Sequence, residues 1–149
     1  MLRSILVPLD GSKFAENAIP LALNIATRAG AHLELLRIHE LYALHDSHAC
    51  WSPYEPAADA QYQAEEQAYL DRTVERLRMT ASVPVTSALV NGVIEDAILN
   101  RARTRAPDLI VMATHGRGPL SRLCFGSVAE KLILYGPVPI LLFPPGEDA

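Results

Sequence analysis

Cysteines and long apolar runs are scarce in this sequence, and both shortages narrow the class of protein. Its 2 cysteines, Cys50 and Cys124, are too few for a disulfide framework, so the composition gives no sign of an oxidising compartment. The N-terminal apolar run stops at Asp10, too early for the apolar core of a signal peptide. No other run reaches the length of a membrane span. We therefore expect a cytoplasmic protein that makes no contact with a membrane.

The sequence also has no excess of positively charged residues. The chain has 13 Lys and Arg against 17 Asp and Glu, a formal net charge of −4, which disfavours a general nucleic-acid-binding surface. Segment 114–131 departs from this average, because Arg117, Arg122 and Lys131 face only Glu130 there. Such a local positive excess favours a small phosphate-bearing ligand over a polynucleotide.

What the sequence does contain is a regular alternation of strand and helix patterns. Hydrophobic residues make up 50% of the 149 positions, which suits one globular domain over residues 1–149. Apolar runs between turn residues predict strands at 4–9, 31–39, 84–90, 108–112 and 139–143. Apolar residues at three- and four-residue steps predict helices at 15–29, 59–81, 94–106 and 126–135. Pro20 should kink the first of these helices, because proline removes a backbone hydrogen bond.

This alternation predicts an α/β fold with a doubly wound, five-stranded parallel sheet and helices on both faces. The predicted strand order is 3-2-1-4-5. In such sheets a ligand lies beyond the carboxyl ends of the strands, where the strand order reverses. Segments 8–12 and 113–127, which follow the first and fourth strands, should therefore face one crevice.

The most informative stretch is 113–128, which joins the fourth strand to the fourth helix. Its glycines, including Gly116 and Gly126, allow sharp turns and close approach of a ligand to backbone N–H groups. The helix that follows offers free N–H donors and the positive end of its dipole. Together these features predict an anion cradle, with phosphate as the expected anion. A purely structural alternative is that Ser127 and Glu130 form a capping box.

With these residues placed, the whole chain resembles the universal stress proteins. The resemblance rests on Ile5-Leu-Val-Pro-Leu-Asp-Gly-Ser12, on segment 108–116, and on Gly126-Ser-Val-Ala-Glu-Lys131 with segment 137–142 after it. Nucleotide-binding members of that family carry a Gly-x2-Gly-x9-Gly-Ser/Thr pattern, which aligns here with Ala113-x2-Gly116-x9-Gly126-Ser127. Alanine replaces the first glycine, and we expect its methyl group to weaken binding without abolishing it.

The resemblance also implies roles for individual residues. Pro8 and Asp10 correspond to family positions beside the adenine and ribose. Ile38 corresponds to a family position whose backbone forms a hydrogen bond with adenine. Met112 and Ala113 are implied to line the ribose and base. The implied phosphate contacts are Gly116, Gly126, Ser127 and Val128. The implied ligand is ATP, or AMP or ADP, with Mg²⁺ as an optional companion, and the implied assembly is a homodimer through the last strand.

Three functions remain open at this point. The first is a binding module that holds ATP or a related adenine nucleotide and signals a stress or energy state. The second is a slow ATPase, although the chain lacks the lysine-containing phosphate loop and Asp10 is the only obvious acid near the site. The third is a protein-interaction module that has lost nucleotide binding, suggested by Ala113 and by the irregular stretch 40–58.

We assign no catalytic residue and no metal site. His115 more often simply fits a turn in a glycine-rich loop, and Arg117 and Arg122 are interpreted as steering charges. His45, Asp46, His48 and Cys50 lie close together but match no standard spacing of metal ligands; these four residues and the aromatic Trp51 and Tyr54 are therefore interpreted as parts of a loop or partner surface.

Overall fold

The computed structural model describes residues 1–40, 56–114 and 126–143. Five parallel strands form one sheet in the order β3-β2-β1-β4-β5, which confirms the predicted fold and strand order. The strands are β1 (Ser4–Leu9), β2 (His32–His39), β3 (Val85–Asn91), β4 (Leu109–Ala113) and β5 (Ile140–Phe143). The order reverses at the neighbouring strands β1 and β4, so a crevice is expected beyond their carboxyl ends.

Helices cover both faces of the sheet. They are α1 (Lys13–Glu16), α2 (Ala18–Ala29), α3 (Pro56–Arg78), α4 (Ile94–Arg105) and α5 (Ser127–Tyr135). One apolar core joins the sheet to α2 and α3, and a second joins its other face to α4 and α5. None of the helices in these described ranges is both long and apolar enough to cross a membrane.

The continuous apolar run of β1 is explained by burial on both faces. Ile5 and Val7 belong to the first core, while Leu6 between them belongs to the second. β2 repeats this division with Leu35 and Leu36. A strand covered by helices on both sides has no solvent-facing positions for polar residues, so its sequence reads as a run and not as an alternation.

The first predicted helix is in fact two helices. A break at Asn17 separates α1 from α2, and Pro20 lies in the first turn of α2. Inside a continuous helix, Pro20 would give no hydrogen bond to the carbonyl of Glu16 and its ring would clash with that carbonyl. In a first turn the missing N–H costs nothing. In place of the expected kink at Pro20, the structure has two helices that meet at Asn17. The predicted end at Gly30 is correct, since Gly30 is the left-handed C-cap with φ of 66°.

Candidate functional site

A cavity of about 330 Å³ opens at the carboxyl ends of the central strands. Its walls come from the ends of β1, β2 and β4 and from the first turn of α5. This is the place where the sheet order reverses, so the fold puts the cavity where doubly wound sheets bind ligands. Its volume falls within the usual range for small-molecule sites.

Eight of the nine residues that the sequence singled out for a ligand line this one cavity. They are Pro8, Asp10, Ile38, Met112, Ala113, Gly126, Ser127 and Val128. The ninth, Gly116, lies outside the described residues, as do His115, Arg117 and Arg122 and the cluster from His45 to Cys50. Within the described ranges no group of three or more His, Cys, Asp or Glu side chains could hold a metal ion.

Asp10 is oriented by the turn that follows β1. Its Oδ1 accepts hydrogen bonds from the Ser12 backbone N–H at 2.8 Å and from the Ser12 hydroxyl at 2.5 Å. Ser12 in turn caps α1, because its Oγ accepts from the Ala15 N–H at 3.1 Å. The carboxylate therefore has a structural role in the turn, and it also lines the cavity. These two uses are compatible, because both hydrogen bonds of the turn end on Oδ1 and the described residues of the turn make no use of Oδ2.

Arg37 covers this turn and adds a charged wall that the sequence analysis missed. Its Nε donates to Glu66 Oε1 at 3.0 Å, and its guanidinium lies 5.9 Å from the centre of the Tyr69 ring. Arg37 Nη1 is only 2.8 Å from where a Cβ on residue 11 would be, and Gly11 has φ of +81°. The turn therefore requires glycine for its backbone conformation, and a larger residue would also displace the end of the Arg37 side chain. Both Arg37 and Glu66 line the cavity.

Glu66 is held from its other side by His39. The imidazole Nδ1 lies 2.7 Å from Glu66 Oε2, and Nε2 lies 3.3 Å from Asp59 Oδ1. His39 is 1% exposed, so its imidazole is enclosed by protein on the side of Glu66 away from Arg37. The polar residues Arg37 and His39 at the end of β2 were the only sequence signal for this contact. Their partners on α3 are 27 and 29 positions away, too far for a local pattern to identify.

Among the residues that the structure describes, no side chain caps the N-terminus of α5. Gly126 is its N-cap with φ of −58°, and the Glu130 N–H donates to the Gly126 carbonyl at 3.0 Å. Ser127 is the first helical residue, so the capping-box alternative is wrong. Its hydroxyl instead donates to Glu95 Oε1 in α4 at 3.3 Å. First-turn N–H groups have no partner inside a helix, and residues 126–129 line the cavity, so this end is suited to an anion.

Ala113 introduces no backbone strain at the position where the family motif has glycine. It is the last residue of β4 and pairs with Phe143 of β5. Among the described non-glycine residues only Ala106 has a positive φ, so Ala113 adopts a conformation open to any residue. The remaining effect of the substitution is steric, since its methyl group occupies space beside the cavity.

Comparison with known proteins identifies relatives that match nearly the whole chain. The sequence model described as "Universal stress protein family" matches residues 1–144. A universal stress protein from Thermus aquaticus is 31% identical over 150 residues, which cover 95% of this chain and 98% of the relative.

Solved structures share the fold as well. A universal stress protein in complex with cAMP superposes with a TM-score of 0.70 at 22% identity, covering 97% of this chain and 98% of the other. A universal stress protein family protein from Arabidopsis thaliana with AMP bound gives a TM-score of 0.69 at 16% identity, covering 98% and 94%. At these identities the likeness establishes the fold, while the family follows from the sequence match. The chain belongs to the universal stress protein family.

Proposed function

We propose that this chain binds ATP or a related adenine nucleotide in the cavity and serves as a cytoplasmic stress or energy-state signalling module. One observation carries the proposal: eight of the nine residues that the family pattern assigns to base, ribose and phosphates, which are far apart in sequence, line one cavity of about 330 Å³. The presence of cAMP and AMP in two structures of the same fold supports the same ligand class.

The chemistry of the cavity wall suits the parts of such a ligand. Apolar side chains of Ile38 and Met112 offer surfaces for an adenine ring. Asp10 supplies a carboxylate that can accept hydrogen bonds from ribose hydroxyls. The first-turn N–H groups of α5 point to a phosphate position, where the helix dipole favours negative charge. Mg²⁺ belongs to the proposal only as a companion of the phosphates.

Calorimetric titration of the purified protein with ATP, AMP and cyclic AMP tests the proposal. We expect heat of binding and a rise in melting temperature, because a ligand that binds only the folded state stabilises it. Ser127→Ala should weaken binding of the phosphorylated ligands, since it removes a hydroxyl from the phosphate end. If none of the three nucleotides gives heat or a thermal shift at millimolar concentration, the proposal is wrong.

The proposal includes a homodimer formed through β5. This strand lies at the edge of the sheet beside β4, and its four residues are only partly buried. An edge strand carries backbone N–H and C=O groups that a second copy can pair with. The last turn of α5 comes shortly before β5 in the sequence, and its apolar side chains are exposed to solvent.

A further inference from the structure

Glu95 of α4 lies behind the phosphate end of the cavity, where it contacts Ser127. Its Oε1 accepts the hydrogen bond from the Ser127 hydroxyl at 3.3 Å, across the contact between α4 and α5. The carboxylate therefore lies one hydrogen bond away from a residue that lines the cavity. Nothing in the local sequence marks it, because Glu95 and Ser127 are 32 positions apart.

The described charges around Glu95 offset it only in part. The nearest cation on α5, Lys131, donates to Asp96 Oδ1 at 2.8 Å, and this hydrogen bond raises the pKa of Lys131. One ammonium group thus faces two adjacent carboxylates, which leaves a net negative charge at the start of α4. The described cavity wall adds Asp10, Glu40 and Glu66 against Arg37 alone, and Arg37 is already paired with Glu66.

A phosphate at the start of α5 meets two opposing effects. The N–H groups and the helix dipole attract it. The Glu95 carboxylate, one hydrogen bond behind Ser127, repels each phosphate charge, and the repulsion is stronger at the low dielectric constants near protein than in water. The repulsion grows with every phosphate charge, whereas the dipole acts only near the first turn.

We propose that Glu95 is a specificity-determining residue that makes the cavity select adenine ligands of low phosphate charge, nucleosides and monophosphates, over triphosphates when no divalent cation is present. This inference rests on the proposed adenine-nucleotide function and adds the preferred charge of the ligand. A monophosphate carries a charge of about −2 and a triphosphate carries more, so Glu95 disfavours the triphosphate most.

Titrating the full chain and its Glu95→Gln variant with adenosine, AMP and ATP in EDTA tests the inference. Glutamine keeps the shape and can still accept the hydrogen bond from Ser127, so only the charge is removed. We expect ATP affinity to rise about three- to tenfold, AMP affinity to rise less, and adenosine affinity to stay the same. Glu75→Gln is the matched control, because Glu75 is exposed in α3 near the opposite end of the sheet and its loss changes net charge equally.

The outcomes separate the inference from the function on which it rests. Equal ratios of ATP to adenosine affinity in the wild type and Glu95→Gln would overturn the inference while leaving nucleotide binding intact. Weaker ATP binding by Glu95→Gln would also overturn it, since Glu95 would then assist the triphosphate. If no adenine ligand binds the wild type or either variant, the proposed function itself is wrong and the inference fails with it. Unchanged adenosine affinity shows that the variant cavity is folded.

Discussion

At the scale of single residues, Gly126 is a glycine that the described fold does not itself require. Its φ of −58° is open to every residue. A Cβ placed there would lie 3.8 Å from the Thr114 carbonyl oxygen, an ordinary van der Waals contact. Neither the backbone nor the packing of the described residues therefore requires glycine at this position. The remaining reason is space for a ligand against the N-terminus of α5.

Gly126→Ala should accordingly affect binding much more than folding. We expect the free energy of unfolding to fall by less than about 1 kcal/mol. Adenine-nucleotide affinity should fall by about tenfold or more, because a methyl group crowds the phosphate position. Chemical denaturation and calorimetric titration measure the two effects.

Gly136→Ala provides the matched contrast for that experiment. A Cβ at Gly136 would lie 2.3 Å from the Leu132 carbonyl oxygen, so this variant should lose stability through a steric clash at the end of α5. A Gly126→Ala variant that unfolds as readily as Gly136→Ala, or that binds nucleotide normally, would contradict the assignment of Gly126 to the ligand.

At the scale of elements, the sequence identified strands more reliably than it identified helix breaks and charged contacts. β1 was predicted at its observed bounds, because burial on both faces leaves a continuous apolar run. The apolar stripe of α1 and α2 continues across Asn17, so it predicts one helix with a kink at Pro20 and not two helices. The cavity followed from the order of elements and the family motif. The ion pair of Arg37 and Glu66 could not be predicted from the sequence, because it depends on how α3 packs against β2.

Asp108 ties the beginnings of β1 and β4 together, and it makes that junction sensitive to acid. Its Oδ2 accepts from the Arg3 N–H at 2.7 Å and from the Ser4 N–H at 3.0 Å. These hydrogen bonds hold the pKa of Asp108 below its usual value of 3.8, and the bond from Arg3 has the larger effect. A carboxyl with a lowered pKa in the folded state stabilises the fold above its unfolded pKa and loses that contribution as pH falls through the folded value.

Asp108→Asn should therefore lower the melting temperature at neutral pH and lose less stability than the wild type below about pH 4. Melting temperatures from neutral to acid pH measure both effects. Asp71→Asn is a suitable control, since Asp71 is exposed and accepts its hydrogen bond from Gln67 within α3. If the two variants show the same pH dependence, the β1–β4 junction is not the origin of the effect.

At the scale of the whole molecule, one edge of the sheet lies close in sequence to an exposed apolar turn. β3 forms one edge and β5 the other. Next to β5 in sequence, the last turn of α5 exposes Ile133, Leu134 and Tyr135, with 64% of Leu134 and 62% of Tyr135 accessible to solvent. Three consecutive exposed apolar side chains beside an edge strand are typical of a surface that a partner covers. The proposed homodimer gives both features one explanation.

The homodimer predicts that charge in this turn will separate the copies. A Leu134→Asp, Tyr135→Asp double variant should sediment as a monomer under conditions where the wild type sediments as a dimer, because burying unpaired carboxylates in an interface is costly. Met79→Asp is the control, since Met79 is 87% exposed at the C-terminal end of α3, far along the chain from β5, and should leave the dimer intact. A wild-type protein that is monomeric at micromolar concentration, or a double variant that stays dimeric, would contradict an interface at β5. In the first case the apolar turn would need a different partner, and nucleotide binding would be a property of the single chain.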